Sequence, residues 1–208
     1  MSYRVRIKVC GMTRAADIIE AIELGVDALG FIFYAGSKRA ITLAQAKNLI
    51  KEVSPFVTSV AVVVNPHSEF VKQLLSEIPI HCLQFHGDES PAFCSQFNVP
   101  YIKAIAAVSS QQIQKQIAEH SRACGFLFDT PARGTYGGTG QTFDWHRLPV
   151  YDEKPIILAG GLNSTNVQQA VTLLRPYAVD VCSGVEKIFG CKDHSKMREF
   201  VSAVRRMG

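Results

Sequence analysis

A cysteine and an aspartate, each closing a short apolar segment, are the residues of this sequence best suited to acid–base chemistry. Cys10 ends the segment VRIKVC (5–10), and Asp129 ends GFLFD (125–129). In a strand, Lys8 would lie on the same side as Cys10, and an ammonium group near a thiol favours the thiolate. A thiolate can act as nucleophile or general base, and a positioned carboxyl group can donate a proton. The alternatives are a buried structural cysteine and an aspartate that caps a helix or lies in a surface turn.

Two glycine-containing segments near the end of the sequence predict a phosphate site. They directly follow the apolar segments 155–159 and 178–182. The candidate residues are Gly160, Gly161, Ser183 and Gly184. Glycine lets the backbone approach an anion closely, and barrels of parallel strands often bind phosphate at such loops. Two tight turns without a ligand are the alternative.

Further polar residues are candidates for substrate binding. Arg39 follows the second apolar segment and could hold a carboxylate through two hydrogen bonds, although an arginine in an exposed loop is usually only solvated. Gln84 and His86 end the fourth apolar segment, where His86 could line a pocket or be structural. Lys8 and Asp180, in the first and last apolar segments, complete the set.

A glycine-rich segment (133–140) contains four glycines and could close over a ligand. It lacks the G-x-x-x-x-G-K-[ST] signature of nucleotide-binding loops and does not have the spacing of a dinucleotide fingerprint. A flexible surface connection is the alternative.

Eight apolar segments, typical of parallel strands buried on both faces, are the elements that would position these residues. They are 5–10, 28–33, 57–64, 81–85, 101–107, 125–129, 155–159 and 178–182. Helices are predicted between them, four by apolar residues at helical spacing. Those residues are Ala15, Ile18, Ile19 and Ile22; Ala46, Leu49, Ile50 and Val53; Val167, Ala170, Val171 and Leu174; and Met197, Phe200, Val201 and Val204. Shorter helices are predicted over 67–77, 90–97 and 109–119, and a weak one over 143–148.

Helix start signals support this alternation. Thr42 with Gln45 and Ser109 with Gln112 fit a capping box, and Ser90 precedes a proline. Eight strands alternating with helices predict either a closed (β/α)8 barrel or an open doubly wound sheet. The count of eight favours the barrel, and the lack of a linker favours one domain over 1–208.

The composition indicates which classes of binding partner and which cellular compartment to expect. The 208 residues carry a net charge of +4 without a run of Lys and Arg, so a small anionic substrate is favoured over nucleic acid. No apolar run is long enough to span a membrane, and the first residues do not resemble a signal peptide. The six cysteines form no C-x-x-C pair, which predicts reduced thiols, no metal site and a cytoplasmic, soluble protein. Together these features predict cofactor-free acid–base chemistry on a phosphorylated small molecule, by an isomerase or lyase.

Eight sequence motifs, spread over the whole chain in the family's order, resemble those of phosphoribosylanthranilate isomerases. They are KVCGMT (8–13), DALGFIF (27–33), SKRAI (37–41), LQFHGDE (83–89), LFDT (127–130), GGTGQTFDW (137–145), LAGGLN (158–163) and VDVCSGVE (179–186). The resemblance implies a (β/α)8 fold, no cofactor and the state of a monomer or homodimer. It also implies an Amadori rearrangement in tryptophan biosynthesis, from N-(5′-phosphoribosyl)anthranilate to 1-(2-carboxyphenylamino)-1-deoxyribulose 5-phosphate.

The resemblance also implies roles for individual residues. Cys10 matches the general base and Asp129 the general acid, while Arg39 would hold the anthranilate carboxylate. Gly160, Gly161, Ser183 and Gly184 would hold the phosphate, and Gln84 and His86 would line the pocket. The sequence departs from the family at Lys38, where Pro is frequent, and at Cys182, where Ser is usual. The second departure puts one hydroxyl contact to the phosphate in doubt.

Two alternative functions are a related isomerase of histidine biosynthesis and a non-catalytic barrel that binds a phosphoribosyl ligand. The first uses a pair of aspartates, one at the end of the first strand, where this chain has Cys10. The second would be favoured by loss of Cys10 or Asp129, and both are present. A metal-dependent hydrolase would need His and carboxylate ligands at several strand ends, and these are missing.

Overall fold

Eight parallel strands form a closed barrel in the computed structural model, which describes residues 4–106, 109–130, 145 and 153–206. The strands are β1 Arg6–Cys10, β2 Ala28–Ile32, β3 Thr58–Val63, β4 Cys82–Phe85, β5 Tyr101–Ala106, β6 Gly125–Asp129, β7 Ile156–Leu158 and β8 Ala178–Val181. β1 pairs with β8 in parallel register, with Lys8 opposite Asp180. This pairing confirms the predicted (β/α)8 barrel and excludes the open sheet.

Helices connect successive strands in the described residues. They are α1 Ala15–Glu23, α2 Leu43–Leu49, α3 Ser68–Glu77, α4 Pro91–Cys94, α5 Ser110–Glu119, α6 Val167–Leu174 and α7 His194–Arg205. Two 3-10 helices, Ile50–Glu52 and Ser183–Val185, follow α2 and β8. An antiparallel hairpin that the sequence did not predict, β9 Glu186–Ile188 and β10 Cys191–Lys192, precedes α7. The helix predicted over 143–148 lies outside the described residues, apart from Trp145.

The predicted helix starts are largely confirmed. Thr42 and Gln45 form the full capping box at α2. The Ser90 hydroxyl accepts a hydrogen bond from the Phe93 backbone N–H at α4, where Pro91 is the first helical residue. Ser109 accepts from the backbone of Gln112, but the Gln112 side chain contacts the serine hydroxyl instead of its backbone N–H. Only one of the two hydrogen bonds of the Ser109–Gln112 capping box therefore forms.

The predicted buried face is wrong for α1 at Ala15 and Ile19, which are exposed. The helix instead buries Asp17, Ile18 and Ala21. The Asp17 carboxylate accepts a hydrogen bond from the backbone N–H of Lys192 at 3.0 Å and lies 3.0 Å from the His194 ring. These polar contacts with Lys192 and His194, and not the spacing of the apolar residues alone, determine which face of α1 is buried.

The strand period of two divides the barrel interior into layers. An apolar layer contains Val60, Cys82, Ile102, Leu127 and Ala178. Two residues further along their strands, on the same face, come Val62, Gln84, Ala104, Asp129 and Asp180. The carboxyl ends of β4, β6 and β8 therefore direct polar groups into the barrel, above an apolar plug.

Candidate active site

A cavity of about 480 Å³ opens at the carboxyl ends of the strands. Most residues predicted for the site border it: Cys10, Arg39, Gln84, His86, Asp129, Gly160, Gly161, Asp180 and Ser183. Lys8 and Gly184 do not border it. The fold thus brings together groups from β1, β4, β6, β7 and β8 that are far apart in the sequence.

Lys8 lies in the wall beneath the cavity, paired with Asp180. Its ammonium nitrogen is 2.8 Å from Asp180 Oδ2, and both side chains are buried. Burial lowers the pKa of Lys8, but attraction to Asp180 and Cys10 outweighs that effect and leaves the pKa raised. Lys8 is therefore a fixed cation beside Cys10, and its predicted contact with a substrate stays a prediction.

The Cys10 thiol faces a second thiol, Cys182, across the β1–β8 junction. A hydrogen bond with Cys182 and burial raise the pKa of Cys10 well above its ordinary value, and the opposing effect of Lys8 is smaller. Lys8 does favour the Cys10 thiolate, as predicted, but its effect on the pKa is smaller than those of the hydrogen bond and of burial. The same hydrogen bond, with help from Lys192 and Arg39, lowers the pKa of Cys182 to about 7.

Asp129 ends a chain of hydrogen bonds that begins at Gln84. The Gln84 amide N–H donates to His86 Nδ1 at 2.9 Å, so the neutral ring carries its proton on Nε2. That Nε2 donates to Asp129 Oδ2 at 3.2 Å, and the backbone N–H of Thr130 donates to Oδ1 at 2.7 Å. Both oxygens of the carboxylate are thus held in a fixed direction at the cavity wall.

Two acceptors in this wall have no partner among the described residues. They are Gln84 Oε1 and Asp180 Oδ1, and both atoms are buried. Buried polar atoms without a partner are rare in folded proteins because each costs free energy.

Arg39 is buried, which contradicts the interpretation of a solvated loop arginine. Its Nε and Nη2 donate to the two carboxylate oxygens of Glu186 at 2.8 and 2.7 Å. Lys192 lies 3.1 Å from the same carboxylate and donates to the Cys182 carbonyl at 3.0 Å. Gly11 has a φ of 75°, and a side chain there would come within 2.8 Å of Arg39 Cδ. The glycine after Cys10 thus leaves space for the arginine.

The glycines after β7 adopt conformations that favour glycine. Gly160 and Gly161 have φ values of 81° and 62°. A Cβ atom on Gly160 would come within 3.0 Å of Asp129 Oδ1 and even closer to Thr130. Gly184 packs against the carbonyl of Leu162, so it joins the two loops without bordering the cavity. Ser183 borders the cavity from the other loop.

Sequence reasoning missed three residues of this region: Glu186, Phe189 and Lys192. Phe189 borders the cavity with 58% of its surface exposed, and Lys38 Nζ lies 4.2 Å from its ring centroid. All three belong to the unpredicted hairpin region after β8, whose contacts with Arg39 and Lys38 join distant parts of the sequence. The glycine-rich segment 133–140 lies outside the described residues.

The described residues contain no group of three or more His, Cys, Asp or Glu side chains placed to hold a metal ion. None of their helices has the length and apolar character needed to cross a membrane.

Comparison with known proteins gives one consistent result. The family model described as N-(5′-phosphoribosyl)anthranilate (PRA) isomerase matches residues 7–203. An N-(5′-phosphoribosyl)anthranilate isomerase from Legionella pneumophila (strain Paris) is 52% identical over 201 residues, which is 97% of each chain.

Solved structures agree. The phosphoribosyl anthranilate isomerase from Thermotoga maritima is similar with a TM-score of 0.86 and 36% identity, covering 97% of this chain and 99% of its own. A phosphoribosyl anthranilate isomerase in complex with reduced 1-(o-carboxyphenylamino)-1-deoxyribulose 5-phosphate has a TM-score of 0.83 and 32% identity, with the same coverage.

Proposed function

We propose a division of catalytic roles for this chain, which belongs to the N-(5′-phosphoribosyl)anthranilate isomerase family and is an isomerase of tryptophan biosynthesis. Asp129 is the general acid and Cys10 is the general base of an Amadori rearrangement. The observation that carries this assignment is that the thiol of β1 and the carboxyl group of β6 border the same cavity. Neither role requires a cofactor.

Asp129 acts first, in its protonated form. It gives its proton to the ribose ring oxygen of N-(5′-phosphoribosyl)anthranilate, and the C1′–oxygen bond breaks as the nitrogen lone pair forms a C=N bond. The carboxylate that results is stabilised by the hydrogen bonds from His86 and Thr130. Gln84 and His86 are therefore positioning residues for the acid.

Cys10 acts second. Its thiolate removes the C2′ proton to give an enolamine, which tautomerises to the ketone of 1-(2-carboxyphenylamino)-1-deoxyribulose 5-phosphate. The ligand-free site favours the protonated Cys10 thiol. The positive charge of the protonated Schiff base would favour the thiolate once the ring has opened, because a nearby cation stabilises a thiolate.

The substrate has two anionic groups and a polyol chain to be held. The backbone at Gly160 and Gly161, with Ser183, offers the phosphate site, and Gly184 keeps the two loops together. Glu186 accepts hydrogen bonds from Nε and Nη2 of Arg39. The Nη1 group is therefore the donor proposed to bind the anthranilate carboxylate. A carboxylate held there brings the aromatic ring close to Phe189, whose ring centroid lies 5.1 Å from Arg39 Cζ. Gln84 and Asp180 border the cavity, and their side chains would hold the ribose hydroxyl groups.

The decisive experiment follows the anthranilate-type fluorescence of freshly made N-(5′-phosphoribosyl)anthranilate after addition of purified protein, without added metal or cofactor. Fast decay with the wild type and a kcat lowered by about 10²–10⁴ in Cys10→Ala would support the base. The KM of Cys10→Ala should change little, because the phosphate and carboxylate sites are intact. Cys124→Ser, which alters an exposed thiol outside the cavity, is the matched control.

Two results would overturn the proposal. Near-normal turnover by Cys10→Ala would show that Cys10 is not the general base. No decay above background with the wild type would favour a non-catalytic phosphoribosyl-ligand-binding barrel or the histidine-pathway isomerase. Binding and turnover of the corresponding phosphorylated substrates would then separate those two.

A further inference from the structure

The two thiols of the cavity, Cys10 and Cys182, lie within reach of a covalent bond. The β1–β8 register pairs Val9 with Val181, so Cys10 is the next residue of β1 and Cys182 is the residue that follows β8. Neighbouring strands lie about 4.8 Å apart, and disulfides join residues whose Cα atoms are about 4.4–6.8 Å apart.

Both thiols also border the cavity, so a small molecule that enters it meets them together. The Cys182 sulfur lies 3.8 Å from the ammonium nitrogen of Lys192, whose side chain is fully buried. A nearby cation stabilises the thiolate, which is the form that attacks disulfides. Cys182 is thus the better nucleophile of the pair.

We propose that Cys10 and Cys182 form a modification site at which a small-molecule disulfide converts the two thiols into a reversible intramolecular disulfide. The Cys182 thiolate attacks one sulfur of the reagent R–S–S–R, forms a mixed disulfide and expels one thiolate RS⁻. Cys10 then loses its proton and attacks the Cys182 sulfur, which expels the second RS⁻. The protein is oxidised by two electrons, and the reagent is reduced to two thiols.

The first step prepares the second. The largest effect holding the proton on Cys10 is its hydrogen bond with Cys182. Once Cys182 has become a mixed disulfide it no longer carries a negative charge, so that effect is lost while Lys8 remains beside Cys10. Cys10 therefore becomes easier to deprotonate when it is needed as the attacking group.

Formation of the disulfide does not depend on the proposed role of Cys10, but the loss of activity does. If Cys10 is the general base, the oxidised enzyme lacks it and is inactive until a thiol reduces the bond. Serine at position 182 could not form this bond.

The test treats the Cys124→Ser protein with 2-hydroxyethyl disulfide and measures intact mass, the linked peptides and isomerase activity. The Cys124→Ser background removes the other close thiol pair, Cys82 with Cys124. The expected product has lost two hydrogen atoms, carries no adduct and contains a linked Cys10–Cys182 peptide. Dithiothreitol should restore both the mass and the activity.

A Cys182→Ser variant in the same background separates a specific pair from general oxidation. This variant should form no internal disulfide. Its activity should stay at its value before treatment over the time in which the Cys124→Ser parent protein is inactivated. Cys182→Ala serves the same purpose if the serine variant does not fold.

The inference is overturned if the treated parent keeps both thiols, stops at a mixed-disulfide adduct, or links other cysteines. It is also overturned if Cys182→Ser is inactivated as fast as the parent. A linked Cys10–Cys182 peptide in a protein that remains fully active would instead support this site and contradict the role of Cys10 as the base.

Discussion

The two ends of the barrel contain similar side chains in different surroundings. At the carboxyl end, Glu186 pairs with Arg39 and Lys192, and all three side chains are buried. At the amino end, Arg4 pairs with Asp27 at 2.7 Å, but 67% of the arginine side chain is exposed. The carboxyl end therefore keeps charges fixed around a cavity, whereas the amino end leaves its charges in solvent.

Each end also holds a pair of thiols. At the amino end, a hydrogen bond from Cys82 lowers the pKa of Cys124 to about 7, as Cys10 does for Cys182. Neither Cys82 nor Cys124 borders the cavity of the described residues. A lowered thiol pKa thus also occurs away from the cavity and does not by itself identify a catalytic site. Cys10 and Cys182, for which a function is proposed, differ in bordering a cavity beside a carboxyl group and fixed cations.

The largest contrast between the two ends is expected for their carboxylates. Asp129→Asn should lower kcat by about 10²–10⁴, because an amide cannot supply the proton for ring opening. Asp27→Asn, at the amino end, should leave kcat essentially unchanged. Steady-state kinetics with N-(5′-phosphoribosyl)anthranilate would measure both. Similar losses in the two variants would show that the difference between the ends is not catalytic.

The ion pairs should differ next in their contribution to stability. Glu186→Gln leaves the buried charges of Arg39 and Lys192 without their carboxylate and should lower the free energy of unfolding by about 3–5 kcal/mol. Arg4→Ala removes an exposed pair and should cost less than about 1 kcal/mol. Urea unfolding monitored by fluorescence would test this. Equal losses would contradict the assignment of a buried and a solvated network.

The thiol pairs provide a pH-dependent comparison. Alkylation by iodoacetamide at Cys182 and at Cys124 should increase as the pH rises through about 7, because the thiolate forms above the pKa. Cys10→Ala should move the midpoint at Cys182 upward, toward the ordinary value of 9.0. Cys82→Ala should do the same at Cys124. Peptide mass spectrometry across a pH series measures each site, and an unmoved midpoint would contradict the pairing.

The smallest contrast is expected for two exposed phenylalanines. Phe189 borders the cavity, whereas Phe56 precedes β3 at the amino end and is 98% exposed. Aromatic contacts contribute about 0.5–1.5 kcal/mol, so Phe189→Ala should raise KM by roughly 2–10-fold. Phe56→Ala should leave KM unchanged. An equal KM in wild type and Phe189→Ala would show that the aromatic ring of the substrate does not contact Phe189.

Local signals in the sequence predicted most of the fold. The eight apolar segments correspond to the eight strands, and the Thr42–Gln45 capping box marks the start of α2. The exposed face of α1 was predicted wrongly because Asp17 is held by Lys192 and His194, about 175 residues away along the chain. The hairpin β9–β10 escaped prediction for a similar reason, since its polar residues are buried by contacts with Arg39.

Most residues that border the cavity could be predicted from the sequence, but the electrostatics of the cavity could not. Strand ends placed Cys10, Asp129 and Asp180 at one end of a barrel, as period-two alternation and parallel pairing require. The direction of the Cys10 pKa could not be predicted from Lys8 alone. It depends on Cys182, which the closure of the barrel brings beside Cys10, and on Asp180, which takes the ammonium group of Lys8.

The pairing of β1 with β8 also has a consequence for how the molecule is made. Lys8 and Asp180 are 172 residues apart, so their contact closes one of the longest loops available to the chain. Such long-range contacts cost loop-closure entropy and slow folding. During synthesis on the ribosome, β1 has no β8 to pair with until the residues that separate Lys8 from Asp180 have been made. The barrel, and the cavity at its carboxyl end, can therefore close only after β8 has left the ribosome.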